Sequence, residues 1–327
     1  MDSDAITVAV IVVNYNAGQF LRPCLEALRR QSSPANRVIV VDNGSTDGSM
    51  DGVAGGFPEV EILSLPENLG FAAANNRAMA KVGDCHWVAL LNPDTIASKD
   101  WLEQLRQAVR EHPGVSMFSS RLVNADRADL LDGTGDCYHV SGLVWRRDHG
   151  SPASRQRPVL ETVFSPCAAA GMYRLEKVMK VGGFDERYFC YNEDIDLAFR
   201  MRLQGARCVH IDDSVVAHAG SGITGAHSDF TVYHGHRNLV WTFFKNMPPA
   251  KFWRYLPLHL LMNLASVVHY TLKGRPGVIL RAKWDAILGL RGMLASRKQV
   301  QSDFQSSATE VRSAMVTQPF AFLSRHV

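Results

Sequence analysis

The stretch ITVAVIVVNYN, residues 6–16, decides the fold. Ile6–Val13 is an unbroken run of apolar and β-branched side chains, the pattern of a strand buried on both faces. It ends abruptly on Asn14-Tyr15-Asn16. The stretch RVIVVDNGSTDGS, residues 37–49, repeats the plan: Arg37–Val41 reads as a second buried strand, and the chain turns polar from Asp42 to Asp47. Between the two, Phe20, Leu21, Cys24, Leu25 and Leu28 recur at helical spacing. Working outward, Val60–Leu65 reads as a third buried strand and Gly70–Lys81 as an alanine-rich helix. His86–Leu91 is a fourth strand, running into Asn92-Pro93-Asp94. Trp101, Leu102, Leu105, Ala108 and Val109 then mark an amphipathic helix. Strands alternating with helices predict an α/β fold, a mostly parallel, doubly wound, twisted sheet flanked by helices. Ligands of such sheets bind beyond the carboxyl ends of the strands, where these polar clusters fall.

The second half is less regular. Residues 119–165 lose the alternation, consistent with loops and antiparallel strands. Ala168–Tyr173 returns to the sheet. Asp194–Leu203 reads as a helix with Asn192 in the cap position. Arg207–Ile211 and Val215–His218 read as two short strands, followed by a Gly/Ser/Thr-rich piece, Gly220–Gly225. From Pro248 the pattern is helical and basic to about residue 300, and the last 25 residues, rich in Ser and Gln, are expected to be poorly ordered. The expected organisation is a catalytic domain over 1–247 and a helical extension over 248–327.

Composition narrows the class. Apolar residues make up 46% and charged residues 20% of the 327, ordinary globular usage that excludes a disordered or collagenous chain. The net charge of +3 gives no reason to expect a nucleic-acid partner. That total hides an asymmetry: residues 248–327 hold 11 Lys+Arg and 3 Asp+Glu, leaving 24 and 29 for residues 1–247. Six scattered cysteines form no CxxC pair, which points to reduced thiols. The amino end, Met-Asp-Ser-Asp, is acidic where a secretion signal would be basic, so a cytoplasmic location is expected. No clean apolar stretch of ~20 residues occurs, so a spanning helix is not expected.

Each polar cluster has a structural reading beside a chemical one. Asn92-Pro93-Asp94 suits a turn, and its carboxylate also suits a hard cation that grips a diphosphate. Asp47 and Ser49 are explained by a loop and a helix cap; Asp42, at a strand tip, is better placed to accept from a base N–H. Glu193 and Asp194 open a helix, where acids complement the dipole. With Tyr188, Phe189 and Tyr191 beside them, they also suit a general base in a partly apolar cleft. Asp196 and Arg200 are spaced to pair with each other. His218 ends a strand and gains interest from Asp94 as a second hard-metal ligand, whereas His227, His234 and His236 do not follow a zinc spacing. GxGxxG after the first strand, GxxxxGK[ST] and GxSxG are all missing.

In their order along residues 6–245, these motifs resemble family 2 glycosyltransferases of the GT-A fold, above all the bacterial rhamnosyltransferase-like members. The resemblance implies an inverting, metal-dependent transfer of a sugar, rhamnose from dTDP-rhamnose foremost and UDP-sugars as the alternative. It assigns the nucleotide-sugar to Asn14, Asn16, Asp42, Asn43, Ser45, Asn68, Gly70, Asn75 and Asn92. Asp42 would face the pyrimidine. Asn92-Pro93-Asp94 resembles the family's DxD motif with its first acid replaced, which leaves Asp94 as the direct ligand. Asp94 and His218 would hold Mg²⁺ or Mn²⁺. Glu193-Asp194 matches the ED motif, with Asp194 as the base, and Arg237 is assigned to phosphates or acceptor. The implied partners are a nucleotide-sugar donor and a glycan or lipid-linked acceptor for cell-surface polysaccharide. Two alternatives stay open: a nucleotidyl or phosphoryl transferase, and a non-catalytic nucleotide-sugar-binding module.

The basic tail carries two readings of its own. Leu260, Leu261, Leu264, Val267, Val268 and Leu272 are set against a polar stripe of His259, Asn263 and Ser266. Residues 278–294 add Leu280, Trp284, Ile287, Leu288 and Leu294. Such helices pack on the catalytic domain or on a second subunit, or lie on an anionic membrane surface as a peripheral anchor.

Overall fold

The computed structural model of the protein describes residues 6–155, 161–220, 228–302, 304, 306, 308–318 and 321. Most of the Gly-rich piece 220–225, His227 and much of the Ser/Gln-rich end lie outside the described residues.

Strand β1 (Val8–Asn14) is buried along its whole length, as its apolar run requires. Helix α1 (Leu21–Arg29) leads to β2 (Arg37–Asp42), and a short α2 (Val53–Gly56) to β3 (Val60–Ser64). Helix α3 (Gly70–Met79) crosses back to β4 (Trp87–Leu91), which runs through β5 (Thr95–Ala97) into α4 (Trp101–Glu111). β1 pairs in parallel with β2 on one side and with β4 on the other. The connections therefore reverse direction at the β1–β4 gap, where a doubly wound sheet opens its ligand crevice. β3 is a correction to the expected third buried strand: it is the sheet edge, with Glu61 and Ile62 exposed, because no strand among the described residues pairs beyond it.

The irregular region supplies the rest of the sheet. Its elements are β6 (Met117–Asn124), β7 (Leu131–Gly133), β8 (Asp136–Tyr138), β9 (Val144–Arg146) and β10 (Glu161–Thr162). After them come β11 (Ala170–Arg174), α5 (Leu175–Lys180), α6 (Glu193–Leu203) and β12 (Cys208–His218). The sheet order is β10-β12-β6-β11-β4-β1-β2-β3, with β5 paired to β12 and β7 to β6; β8 and β9 form a separate hairpin. β11 is antiparallel to both neighbours, so the sheet is mixed, with four parallel strands at the amino-terminal side. The two short strands expected over 207–218 are one strand, β12, with a bulge between Ile211 and Val215.

Four helices follow: α7 (Asp229–Asn246), α8 (Pro249–Leu272), α9 (Pro276–Ser302) and α10 (Ala308–Ser313). Helix α7 was not expected from the sequence. Its apolar residues do not make a clean stripe because it is packed on several sides, by α6 as well as by α9. Ser228 caps it by accepting from the Thr231 N–H. Tyr138, Phe164, Phe199, Phe243, Tyr255 and Val311 share one core, so side chains from before and after residue 248 are buried together. Within the Ser/Gln-rich end, Val311 and Met315 are buried and the Val316 N–H donates to the Tyr138 carbonyl, so this part is ordered.

Candidate active site

The carboxyl ends of β1, β2 and β4 and the amino end of α6 carry the residues singled out in the sequence. Asn14 is paired in register with Asp42, which is paired in turn with Ser64. Asn14 is fully buried, and its Nδ2 donates to the hydroxyls of Ser45 at 3.0 Å and Ser49 at 2.8 Å. Asn43 donates to Asn68 Oδ1 and accepts from the Leu69 N–H, both at 2.9 Å. Asn68 also accepts from the Gly70 N–H. Asn16 holds a positive φ and accepts from the Thr46 N–H. These asparagines thus tie the three strand-end loops into one rigid wall, since buried amides are costly unless hydrogen-bonded. Asp42 is half-buried and accepts from the Ser45 N–H at 3.0 Å, so part of its carboxylate serves the local turn. Asn14 Oδ1 and Asn75 Oδ1 are buried without a donor among the described residues. Gly70 has φ +84°, and a Cβ there would fall 2.5 Å from Phe189 Cδ2. Only glycine lets α3 approach the aromatic segment before α6.

On the other side of the crevice, Asp94 and His218 are both buried, with Asp94 Oδ1 3.4 Å from His218 Nε2. Among the described residues neither atom has a hydrogen-bond partner. His218 Nδ1 lies 2.6 Å from Asp132 Oδ2. A carboxylate on Nδ1 fixes that nitrogen as the donor and turns Nε2 towards Asp94, the orientation in which a histidine binds a metal ion once Nε2 has given up its proton. Two orphaned buried ligand atoms of hard-cation chemistry fit a divalent ion. Burial lowers the proton affinity of His218, but the Asp132 hydrogen bond and the Asp94 charge outweigh it and raise the imidazole above its ordinary value. Burial raises the Asp132 carboxyl; hydrogen bonds from His149 and His218 and the Arg146 charge reverse that and hold it well below the carboxylate range. Arg146 Nη1 contacts Asp132 Oδ2 directly.

The second acidic cluster sits at the start of α6. Asp194 accepts from the N–H groups of Ala168 at 3.2 Å and Ile195 at 2.8 Å. The carbonyl of the next residue, Ala169, accepts from the Asn92 N–H, so the two clusters are joined through one short loop. Burial raises the Asp194 carboxyl, against those hydrogen bonds and the Arg146 charge. Burial and the Asp194 charge push Glu193 well above its usual range, and Glu193 Oε2 is buried without a partner among the described residues. Asp136, Cys167 and Asp194 place oxygen or sulfur atoms within 4.8 Å of one another. That spacing alone would admit a metal. However, burial raises both the Asp136 carboxyl and the Cys167 thiol, and the Arg146 charge acts on all three. The Arg146 guanidinium opposes burial at each of them, favouring the ionised form, and sets a positive charge beside the cluster.

Asn192 does occupy the cap position of α6, in a left-handed conformation, but its side chain donates to the Gly235 carbonyl instead of capping. Arg237 Nη2 donates to the carbonyls of Arg187 and Tyr188, and its guanidinium lies 4.3 Å from the Trp241 ring centroid. Its recorded contacts brace α7 against the segment before α6. Asp196 pairs with Arg200 and Lys245, as its i, i+4 spacing anticipated for Arg200.

Sequence reasoning missed Asp132, Asp136 and Arg146. The available signal was the glycine-framed run Asp132-Gly133-Thr134-Gly135-Asp136, where Gly135 holds φ +111°. A cavity of about 420 Å³ lies apart from this crevice, lined by Lys180, Asp185, Arg187, Arg200, Lys245 and Ser296; Asp185 and Asp196 pair with three of its cations.

Comparison with known proteins agrees with this fold. The chain is 28% identical over 236 residues to the N-acetylglucosaminyl-diphospho-decaprenol L-rhamnosyltransferase of Mycobacterium tuberculosis, covering 66% of this chain and 77% of that one. It is 23% identical to the O-antigen chain rhamnosyltransferase of Salmonella typhimurium, over 65% and 66% of the two chains. Among solved structures, a mannosyltransferase from Pyrobaculum calidifontis in complex with GDP-Man and Mn²⁺ superposes with TM-score 0.54. It is 18% identical and covers 92% of this chain and 86% of that one. GalNAc-T7 with UDP, GalNAc and Mn²⁺ gives TM-score 0.60 at 13% identity, over 77% of this chain and 50% of that one. These structures share the GT-A fold expected from the motifs. A sequence profile described as glycosyl transferase family 2 matches residues 9–180, more than half of the chain, and with the strand-end crevice in the place that fold requires, the chain belongs to glycosyl transferase family 2.

Proposed function

We propose that the protein transfers a sugar from a nucleotide-sugar to a hydroxyl of a lipid-linked glycan during cell-surface polysaccharide synthesis, with rhamnose from dTDP-rhamnose as the first candidate donor and UDP-sugars as the second. The sugar and the acceptor class rest on the names of the relatives. One observation carries the chemistry: a half-buried, proton-avid Asp194 is joined by a single loop to a buried Asp94–His218 pair whose facing ligand atoms have no hydrogen-bond partner among the described residues.

Asp42 would orient the pyrimidine, and the asparagine-laced wall from Asn14 to Asn75 would hold ribose and diphosphate. Asp94 and His218 would hold Mg²⁺ or Mn²⁺, which when bound neutralises the charge of a departing diphosphate. Asp194 accepts the proton of the acceptor hydroxyl. The hydroxyl oxygen bonds to the anomeric carbon on the face opposite the diphosphate, and the bond from that carbon to the phosphate oxygen breaks. One displacement gives inversion. The leaving diphosphate needs no proton, so a second carboxylic acid of the glycosidase type is not required. A nucleotidyl transferase could use the Asp94–His218 pair but would leave Glu193 and Asp194 without a task.

The test is a panel of nucleotide-sugars with Mg²⁺ or Mn²⁺, with and without a lipid-linked acceptor. Nucleoside diphosphate release that depends on acceptor, with an inverted anomeric proton in the product's NMR spectrum, is the expected result. Release of pyrophosphate, or tight donor binding with no turnover in any combination, would overturn the proposal.

A further inference from the structure

The hairpin of α8 and α9 leaves an apolar face open. On α8, Trp253, Leu260, Leu261, Leu264, Val268 and Leu272 are exposed, Trp253 at 76% and Leu272 at 83%. At 3.6 residues per turn these positions fall on one side of the helix. Buried Phe252, Tyr255 and His259 fall on the other. On α9, Leu280, Trp284, Ile287, Leu288 and Leu294 are exposed, again opposite buried Ile279, Ala282, Ala286 and Met293. The buried side of α9 meets α7, where the Trp241 indole donates to the Ala286 carbonyl, and His259 of α8 stacks on Phe243 of α7. Because both helices turn their buried sides to α7, their apolar stripes face away from it. Single exposed apolar residues are ordinary; eleven on two adjoining helices mark a contact surface.

Charge selects the occupant. Arg254, Arg281, Arg291 and Lys298 are exposed within or beside the stripes. The one acid between Pro249 and Ser302 is Asp285, which accepts from the Tyr233 hydroxyl. In a two-fold pairing of this face with a second copy, basic rim would meet basic rim. An anionic lipid surface offers the opposite charge and an apolar interior for the stripes. No helix among the described residues is long and apolar enough to cross a membrane, so the helices would lie in its plane.

We propose that α8 and α9 together form a docking face that seats the protein on an anionic bilayer, with Trp253 and Trp284 inserted at the interface. Helix α7 ties this face to the crevice: in its first turns His234 stacks on Phe189, and Phe230 meets Phe189 and Tyr191 edge-on, beside Glu193. Docking therefore sets the acceptor side of the crevice at a fixed distance from the lipid headgroups. The proposal concerns attachment and does not depend on which sugar is transferred.

Flotation of the full-length protein tests it, without donor or acceptor. The probes are vesicles of phosphatidylcholine alone and vesicles mixed equally with phosphatidylglycerol. The protein should float with the mixed vesicles at low salt and leave them at high salt, where headgroup charge is screened. Leu264→Glu/Ile287→Glu and Lys273→Glu/Arg291→Glu should each lower the bound fraction by at least about tenfold. All four positions are exposed, so unchanged melting and intact donor binding are expected of both variants. Brominated lipids should quench the tryptophan fluorescence of bound wild-type protein. Wild-type protein that stays in the soluble fraction at low salt overturns the proposal, as do stripe variants that float like wild type. So does a wild-type dimer that Leu264→Glu/Ile287→Glu converts to a monomer, since the face would then belong to a second copy.

Discussion

Three acids open helix α6 within four residues, and the fold treats them in opposite ways. Asp196 faces α7, where Arg200, Lys245 and Asn246 surround it and hold its carboxyl ionised against the cost of burial. Glu193 and Asp194 face the crevice, where burial raises both and only backbone N–H groups and the Arg146 charge favour the ionised form of Asp194. The difference shows that residue type and helix position do not set proton affinity; the cations packed around each acid, from its own helix and from the facing one, do. One side of the turn is a structural ion network, and the other is chemically usable because it lacks such partners.

The largest effect should come from the crevice side. Asp194→Asn is expected to lower transfer by ~10²–10⁴, with donor binding kept within a few-fold. Because burial raises this carboxyl and only its ionised form accepts a proton, the wild-type rate should fall as pH drops through a value above the ordinary aspartate range. Near-normal turnover of the variant would remove Asp194 from the mechanism and erase the contrast with Asp196.

On the network side, Asp196→Ala leaves Lys245 and Arg200 buried with a partner removed. A loss of about 3–5 kcal/mol is expected in denaturant unfolding, the usual cost of breaking a buried pair. The sign with pH follows from the lowered Asp196 carboxyl. Its stabilisation is present above the unfolded pKa and is lost as pH falls through the folded one. A variant as stable as wild type would show that the network does not anchor α6 to α7.

The comparison sharpens at the metal candidate. Asp94→Ala and His218→Ala should each flatten the metal titration of donor binding. Asp132→Asn, which reaches the metal candidate through His218, should weaken metal affinity about 10–100-fold. Calorimetry with Mn²⁺ and donor nucleotide checks all three, and an unchanged His218→Ala titration would return that histidine to a packing role.

The smallest effect is expected at Asp136. Burial and the Asp194 charge favour the protonated form of Asp136, and the two carboxyls titrate as a pair. Asp136→Asn mimics that protonated form and should keep the rate within about tenfold of wild type, measured beside Asp194→Asn. A collapse equal to that of Asp194→Asn would assign the base to the pair as a unit.

Much of the architecture could be read from local pattern. The buried runs of β1, β2 and β4, the polar tips that follow them and the helical spacing between them are short-range features, and they set the parallel half of the sheet. Asp42, Asp94, Asp194 and His218 could be singled out because each stands at the end of a legible element. Other features were decided only in three dimensions. Strands β7 to β9 are three residues each, too short for a period to register, yet they carry Asp132, Asp136 and Arg146 to the crevice. Helix α7 escaped notice because neighbours on several sides dilute its stripe. The sequence by itself determined where strands end and which acids wait there, since those depend on a few adjacent residues. Which acid is ionised, which histidine nitrogen faces a ligand and which faces of α8 and α9 stay uncovered were decided by the tertiary structure. Proton affinity and burial are set by groups that meet through space from distant parts of the chain.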